Sequence, residues 1–188
     1  CLTTFDFINN ITFKLVETIR FPALTKLMIL ITNIGSPINI AMFCLVVLMT
    51  LWLHKKYEHM IQFAITVSVG ALVVFLTKIL VQLPRPENGL ITADGYSFAS
   101  GHATVATIFF TLIAYSYKTH IKNIFLRNVF VIMNILIAIF VGITRVYLGV
   151  HYATDVLAGF LIGFIISASS IIIFERHLRE KHHTEYSY

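Results

Sequence analysis

The stretch RVYLGVHYATD, residues 145–155, brings an arginine, a histidine and an aspartate together between two long apolar runs. These residue types are among the costliest to place beside a membrane-spanning segment, and where they occur there they indicate function by default. The stretch therefore predicts a membrane fold with a polar site at the edge of the bilayer.

The composition agrees with a membrane fold. The chain has 188 residues, of which 57% are hydrophobic and 12% are charged, whereas a soluble domain carries roughly twice that share of charge. The formal net charge is +5, but the basic residues occur in small groups. This is typical of loops between membrane helices and unlike the dense basic face of a nucleic-acid-binding protein. We predict one membrane domain, residues 1–188, that binds no nucleic acid; its oligomeric state stays open.

Five apolar runs are candidates for spanning helices. The runs 60–83 and 152–174 extend over ~35 Å at ~1.5 Å per residue, which exceeds a ~30 Å hydrocarbon core. Three further runs are close to the minimum length: 38–53, 102–117 and 128–144. The sequence therefore predicts an all-α bundle with about five spanning helices, which occupies residues 37–175.

The first 36 residues form a different kind of segment. Residues 4–21 have the pattern of a helix lying in the plane of the interface, with charged side chains on one face and apolar ones on the other. The apolar side chains are Phe5, Ile8, Leu15 and Ile19. The apolar segment 24–34 is too short to span and ends at Gly35-Ser36-Pro37, which breaks helices. We expect it to be interfacial or partly inserted.

Basic residues in the short loops predict the orientation. Alternating the five spans puts eight of them on one side, which we assign as cytoplasmic together with the tail 176–188. They are Lys55, Lys56, Lys118, Lys122, Arg127, Arg176, Arg179 and Lys181. The outer side then holds the N-terminal segment, whose three basic residues weaken the asymmetry, and three more cations.

Three polar patterns meet on that outer side. Lys78 and Arg85 belong to KILVQLPRP, where two prolines end the helix and leave Arg85 on a rigid extended turn. Ser100-Gly101-His102 opens the run 102–117. The third pattern consists of Arg145, His151 and Asp155. Each residue alone is explained by a snorkelling side chain or a helix N-cap, but their convergence in a chain short of charge favours function.

These residue types suit the chemistry of a phosphate. Three cations and a helix N-terminus form a site for a multiply charged anion, and we expect the N–H groups of residues 100–102 to point at its oxygens. His151 and Asp155 are four residues apart, so on a helix the carboxylate reaches the imidazole. It would fix the tautomer, favour the imidazolium form and leave the other nitrogen free to attack. His102 is then available as a proton donor to a leaving oxygen.

A metal site fits the sequence less well. The carboxylates on the outer side of the five-span region are Glu87, Asp94 and Asp155, whereas a two-metal phosphatase usually needs more. The spacings HExxH and CxxC do not occur. We therefore predict chemistry without a metal or another cofactor.

Together the patterns resemble the type 2 phosphatidic-acid phosphatase superfamily of integral-membrane lipid phosphatases. The signature of that family is K-x6-R-P, P-S-G-H and S-R-x5-H-x3-D; here it reads KILVQLPRP, ASGH and TRVYLGVHYATD. The wording RVYLGVHY is most similar to the bacterial phosphatidylglycerophosphatase B and undecaprenyl-diphosphatase branch. Ala99 stands where proline is usual and Thr144 where serine is common. The family usually has six spans, so we expect one to precede Cys1.

The resemblance implies that His151 attacks phosphorus to form a phosphohistidine, that Asp155 orients it and that His102 protonates the leaving group. The phosphoryl oxygens would be bound by Lys78, Arg85, Ser100, Gly101 and Arg145. The expected substrate is a lipid phosphate at the outer leaflet of a bacterial cell membrane. We favour undecaprenyl diphosphate, with phosphatidylglycerophosphate and phosphatidic acid next. A lipid phosphotransferase would use the same residues, while a lipid transporter would carry its charges near the bilayer midplane.

Overall fold

The computed structural model describes residues 4–185, and within them the chain folds into seven α-helices and no strands. The helices are α1 (Thr4–Ile19), α2 (Pro22–Ile34), α3 (Pro37–Leu53), α4 (Tyr57–Val81), α5 (Gly101–Tyr117), α6 (Ile124–Tyr147) and α7 (Ala153–Glu185). The predicted all-α class is confirmed. Residues 1–3, which include Cys1, and the last three residues of the predicted tail lie outside the described residues.

Each of the five predicted runs falls on a helix, but fewer of these helices meet the length of a span. Among the described residues, α4, α6 and α7 up to Lys181 are long and apolar enough to cross a membrane. Helices α2 and α3 qualify only as a pair, which is bent by 46°. Helix α5 has 17 residues and packs against α3, α4, α6 and α7. Because protein surrounds it, α5 does not need the length of a lipid-facing span.

The sequence Gly35-Ser36-Pro37 breaks the chain between α2 and α3, as expected. The Ser36 hydroxyl accepts from the Asn39 N–H at 3.3 Å, and Pro37 occupies the first turn of α3, where a missing N–H costs little. Helix α2 then leans against α6. Helix α2 is therefore part of the bundle. The apolar pattern of residues 24–34 alone did not decide between an interfacial and a partly inserted segment.

Helix α1 exposes its apolar face and uses its other face to hold the bundle. Phe5 and Leu15 are 67% and 61% exposed, which suits a face in contact with lipid. On the other face, Asn9 Oδ1 accepts from the N–H of Thr154 at 3.3 Å. Arg20, just after the helix, donates to the carbonyl of Tyr147 at 2.9 Å. The N-terminal segment is thus tied to the end of α6 and the start of α7.

The two ends of the bundle differ in chemistry. At one end, Lys56 Nζ lies 2.6 Å from His120 Nε2, and Lys181 pairs with Glu58 at 2.5 Å. At the other end, residues 82–100, which we call the site loop, join residues 148–152 through a bond from the Leu90 N–H to the Leu148 carbonyl at 2.8 Å. The basic loops 54–56 and 118–123 therefore lie together, opposite the site loop.

A close approach of α5 and α7 positions the end that carries the site loop. A Cβ atom on Gly159 would lie 2.8 Å from the carbonyl oxygen of Ser100, so a larger residue would push the two helices apart. The Ser100 N–H donates to the carbonyl of Asp155 at 3.1 Å. The first turns of α5 and α7 are thereby held side by side.

Candidate active site

A cavity of about 880 Å³ lies at the end of the bundle that carries the site loop. Six of the eight residues predicted for the site line it, although they come from α4, α5, α6 and two loops. They are Lys78, Arg85, Gly101, His102, Arg145 and His151. The other two, Ser100 and Asp155, are fully buried, with 0% of their surface exposed. Residues that are distant in sequence thus share one cavity.

The two ring nitrogens of His151 have different neighbours. Nε2 lies 3.1 Å from Arg85 Nη1, and Nδ1 lies 3.2 Å from Ser97 Oγ. The carboxylate of Asp155 is 3.5 Å from Nδ1 through its Oδ2 atom. This pairing has the predicted spacing of four residues, but His151 precedes α7 rather than lying on a helix. Nε2 is therefore the nitrogen on the side of a cation, and Nδ1 is on the side of a carboxylate.

Burial lowers the pKa of His151 to about 4, because the charged imidazolium loses its hydration there. The hydrogen bond with Asp155 acts in the opposite direction, while nearby Arg85 and Arg145 add to the lowering. The neutral imidazole is therefore favoured, which reverses the expectation that Asp155 would keep the ring protonated. Neutral imidazole is the form that can attack an electrophile.

Asp155 is held by two donors besides its contact with His151. Its Oδ2 atom accepts from Ser97 Oγ at 2.5 Å and from the Tyr152 N–H at 3.0 Å. Since both donors reach the same oxygen, the orientation of the carboxylate is fixed relative to the turn that carries His151.

Arg85 joins the two loops that frame the cavity. Its guanidinium donates to the carbonyls of Asp94 and Gly95, both at 2.9 Å, and to that of Val150 at 2.7 Å. Lys78 likewise donates to the carbonyl of Tyr96 at 2.5 Å. These cations therefore shape the site loop as well as line the cavity.

Arg145 is the cation with an open position. Its Nη1 atom donates to Thr32 Oγ1 at 2.8 Å, and both residues are buried. Its Nε atom is buried and has no acceptor among the described residues. An unmade hydrogen bond of a buried charged group is costly, so this donor favours an anion in the cavity that Arg145 lines.

Ser100 does not have the geometry that the sequence predicted. Its N–H donates to the carbonyl of Asp155, and its hydroxyl accepts from the Ala103 N–H at 3.5 Å. Ser100 therefore caps α5 and joins it to α7, and its N–H is not directed at the cavity. Gly101 and His102, one and two residues later, do line the cavity.

Two residues near these groups have no signal in the sequence. Ser97 bridges His151 and Asp155, but the serine lies outside every spacing pattern that indicates phosphate chemistry. Thr32 lies in the segment expected to be interfacial, although its hydroxyl holds Arg145. Only the tertiary structure brings these two hydroxyls to the site.

The cavity continues away from its charged end between α3 and α4. Its walls there are apolar and are formed by Ile40, Ala41, Cys44, Leu45, Val67, Ala71 and Val74. One cavity therefore combines a cationic end with an apolar part that suits a hydrocarbon chain.

No metal-ligand cluster is present in the described residues. In residues 4–181, no group of three or more His, Cys, Asp or Glu side chains is arranged to hold an ion.

The sequence is similar to known membrane phosphatases. The profile of the PAP2 superfamily matches residues 58–179. The chain is 30% identical over 156 residues to phosphatidylglycerophosphatase B of Bacillus subtilis (strain 168), which covers 81% of this chain and 76% of that protein. It is 38% identical over 80 residues to a lipid A 1-phosphatase of Rhizobium johnstonii, covering 43% of this chain and 29% of that protein.

Solved structures with a similar fold point the same way. A crystal structure of a transmembrane PAP2-type phosphatidylglycerolphosphate phosphatase from Bacillus subtilis superposes with a TM-score of 0.83 at 28% identity, over 89% of this chain and 85% of that one. Aquifex aeolicus LpxE gives a TM-score of 0.70 at 25% identity, over 87% of this chain and 94% of that one.

Proposed function

The chain belongs to the PAP2 superfamily and is a membrane lipid phosphatase, and on that premise we propose that it hydrolyses a phosphate monoester or diphosphate of a membrane lipid through a phosphohistidine. The observation that carries the proposal is the shape and lining of the cavity. Its charged end suits a phosphate, and its apolar part between α3 and α4 suits the hydrocarbon chain of the same substrate.

The proposed first step uses His151 as the nucleophile. Phosphoryl oxygens bind Lys78, Arg85 and Arg145, and they fill the position beside Arg145 Nε. His151 Nε2 attacks phosphorus and forms an N–P bond while the bond from phosphorus to the leaving oxygen breaks. His102 gives that oxygen its proton. The cations stabilise the charge on the equatorial oxygens in the transition state.

The proposed second step returns the enzyme to its starting state. His102, now neutral, takes a proton from a water molecule as the water attacks the phosphohistidine. The N–P bond breaks, inorganic phosphate leaves, and the lone pair returns to His151 Nε2. A lipid phosphotransferase would differ only here, because an alcohol would replace the water.

Phosphatidylglycerophosphate is the substrate we propose first, because a similar sequence and a similar solved structure, both from Bacillus subtilis, are named for it. The preference for undecaprenyl diphosphate that the sequence suggested stays a prediction, and phosphatidic acid is the third candidate. A transporter is less compatible with the cavity, because its charged side chains gather at one end of the bundle. We further propose that this end faces the outside of a bacterial cell and that residues 1–188 act as one domain.

Phosphate release by the purified protein tests the function. The three lipids are offered separately in mixed micelles, with and without EDTA, vanadate and an added alcohol. We expect inorganic phosphate to be released, fastest from phosphatidylglycerophosphate, in the presence of EDTA and not in that of vanadate, which mimics pentacoordinate phosphorus.

Each other outcome would remove a definite part of the proposal. No release from any of the three lipids by folded protein would contradict the proposed substrates. Fastest release from undecaprenyl diphosphate would replace phosphatidylglycerophosphate as the first choice. Loss of activity in EDTA that magnesium or zinc restores would contradict chemistry without a metal. A phosphorylated alcohol in place of free phosphate would identify a phosphotransferase.

A further inference from the structure

Ser97 lies between the proposed nucleophile and its carboxylate. Its Oγ atom donates to Asp155 Oδ2 at 2.5 Å and lies 3.2 Å from His151 Nδ1. A serine hydroxyl has one hydrogen, and that hydrogen is directed to the carboxylate. The contact with His151 must therefore be a bond in which Nδ1–H donates to Ser97 Oγ. The direct distance from Nδ1 to Asp155 Oδ2 is longer, at 3.5 Å.

The position of Ser97 is fixed by groups other than these two. Its N–H donates to the carbonyl of Leu83 at 2.7 Å, and its carbonyl accepts from Lys78 Nζ at 3.5 Å. The residue is completely buried, with 0% of its surface exposed. The hydroxyl is therefore presented to His151 by the site loop and does not depend on Asp155 for its place.

We propose that Ser97 is a positioning residue of the phosphatase site, which relays the carboxylate of Asp155 to Nδ1 of His151. The proposal rests on the function proposed above. By accepting from Nδ1–H, Ser97 stabilises the tautomer whose lone pair is on Nε2, the same tautomer that the donor Arg85 Nη1 favours from 3.1 Å on the other side of the ring. A free imidazole would divide its proton between the two nitrogens.

The relay also acts during the transfer of the phosphoryl group. When Nε2 forms its bond to phosphorus, the ring becomes cationic while Nδ1 keeps its proton. Two consecutive hydrogen bonds, from Nδ1–H to Ser97 Oγ and from Ser97 O–H to Asp155 Oδ2, allow the carboxylate to stabilise that cation. No proton has to leave His151 in this step, because the leaving oxygen takes its proton from His102.

Ser97→Ala should slow formation of the phosphoenzyme with little change in KM. The lost bond connects a developing charge to its acceptor, so we expect a decrease of about 10- to 100-fold in the rate of the rapid-quench burst. KM should change less than about threefold, because Ser97 is not among the residues that line the cavity. Ser167→Ala is the matched control: Ser167 is also 0% exposed, but its hydroxyl donates to the Gly163 carbonyl of its own helix. It should keep the wild-type rate.

A double-mutant cycle separates a relay from a purely structural role. If Ser97 acts through Asp155, then Ser97→Ala should lower the rate of phosphoenzyme formation by less than about threefold in a chain that already carries Asp155→Ala. Independent effects would multiply instead. Ser97→Thr, which keeps a hydroxyl, should recover most of the rate. Full additivity in the cycle, or a Ser97→Thr variant that folds and is as slow as Ser97→Ala, would overturn the relay.

The tautomer of His151 tests the relay without any turnover. In micelles at neutral pH, the ¹⁵N resonances of His151 should report a proton on Nδ1 in the wild type. Ser97→Ala should keep this tautomer, because Arg85 still donates towards Nε2, but the Nδ1–H resonance should shift to that of a weaker hydrogen bond. A proton on Nε2 in the wild type, or an unchanged Nδ1–H resonance in Ser97→Ala, would contradict the proposal. Absence of phosphate release by a wild type with the Nδ1 proton would instead contradict the proposed function and leave the relay standing.

Discussion

Burial determines the charge of His151 at the scale of the single residue. Its pKa is lowered to about 4, against roughly 6.5 for an unperturbed histidine. Between these values the unfolded chain binds a proton that the folded chain does not. The free energy of unfolding is therefore unaffected by this group above pH ~6.5 and falls as the pH decreases towards 4.

The titration of His151 can be measured directly. We expect its ¹⁵N signals, assigned by their disappearance in His151→Ala, to change with a midpoint well below the ordinary range of histidine. The reason is that hydration of the imidazolium is lost in the buried loop and the carboxylate of Asp155 compensates only in part. A midpoint near 6.5 would mean that Asp155 dominates, as the sequence alone suggested.

The two histidines of the cavity should respond differently to removal. His151→Ala should abolish both turnover and the trapped phosphoenzyme, since loss of a nucleophile costs on the order of 10⁶ in rate in a well-measured hydrolase. His102→Ala should lower the rate by a factor of ~10²–10⁴, which is the usual contribution of a general acid. An activated ester with a good leaving group should partly rescue His102→Ala and leave His151→Ala inactive.

The rate of Asp155→Asn should lie between the rates of the two histidine variants. The imidazole of His151 remains in this variant, but it loses the charge that orients it. Acid-labile phosphohistidine, trapped by rapid quench, is measured for each variant with Ser167→Ala as the control. If His151→Ala forms the normal phosphoenzyme while His102→Ala does not, the two roles are reversed.

At the scale of the element, the N-terminal helices contact the site from outside the region that the family profile matches. That region begins at residue 58, whereas α1 and α2 precede it. Arg20 donates to the Tyr147 carbonyl, and Thr25 Oγ1 lies 3.1 Å from the Tyr147 hydroxyl. Together with the bond from Arg145 to Thr32, these contacts fasten the last turns of α6, which carry a cation of the cavity.

Thr32→Val should therefore weaken binding of the phosphoryl group. The valine has nearly the same shape but cannot accept from Arg145, so a buried charged donor loses its partner at a cost of about 1–3 kcal/mol. We expect kcat/KM for a lipid phosphate to fall by roughly tenfold or more, which corresponds to at least ~1.4 kcal/mol. Steady-state kinetics on the purified protein measure it.

Two further threonine variants give this prediction its controls. Thr32→Ser keeps the hydroxyl and should stay near the wild-type rate. Thr18→Val removes a hydroxyl whose one bond among the described residues lies within α1, to the Leu15 carbonyl at 2.7 Å, and should have no effect on kcat/KM. Equal losses in Thr32→Ser and Thr32→Val would show that packing, and not the bond to Arg145, is responsible.

The sequence predicts elements better than it predicts the contacts between them. Apolar runs identify the helices because burial and lipid select their composition locally, and the prolines at 84 and 86 explain why α4 ends at Val81, with Gln82 left-handed at φ 49°. The packing of α2 against α6 has no comparable cause in the local sequence. Ser100 shows the same limit, because its N–H is taken by Asp155, 55 residues further along the chain. Motif spacing gives the residue types of a site, but the partner of each donor depends on tertiary packing.

At the scale of the whole molecule, the proposed site lies at one end of the bundle and the basic loops that indicate orientation lie at the other. The cavity, its cations and the proposed nucleophile lie with the site loop. The basic loops lie at the other end, where Lys56 approaches His120. Because cytoplasmic loops of membrane proteins are enriched in lysine and arginine, this separation favours a site that opens to the outer leaflet. A lipid headgroup there could reach the cations without crossing the bilayer.

Labelling of single cysteines in intact cells tests this orientation. In a chain in which Cys1 and Cys44 are replaced, Glu87→Cys places an exposed thiol in the site loop, and Lys122→Cys places one in a basic loop. We expect an impermeant maleimide to label position 87 at once and position 122 only after the membrane is made permeable. Activity of both variants controls for folding. Immediate labelling at position 122 with protection at position 87 would invert the assignment, and the cavity would then have to receive lipid phosphates from the cytoplasmic leaflet.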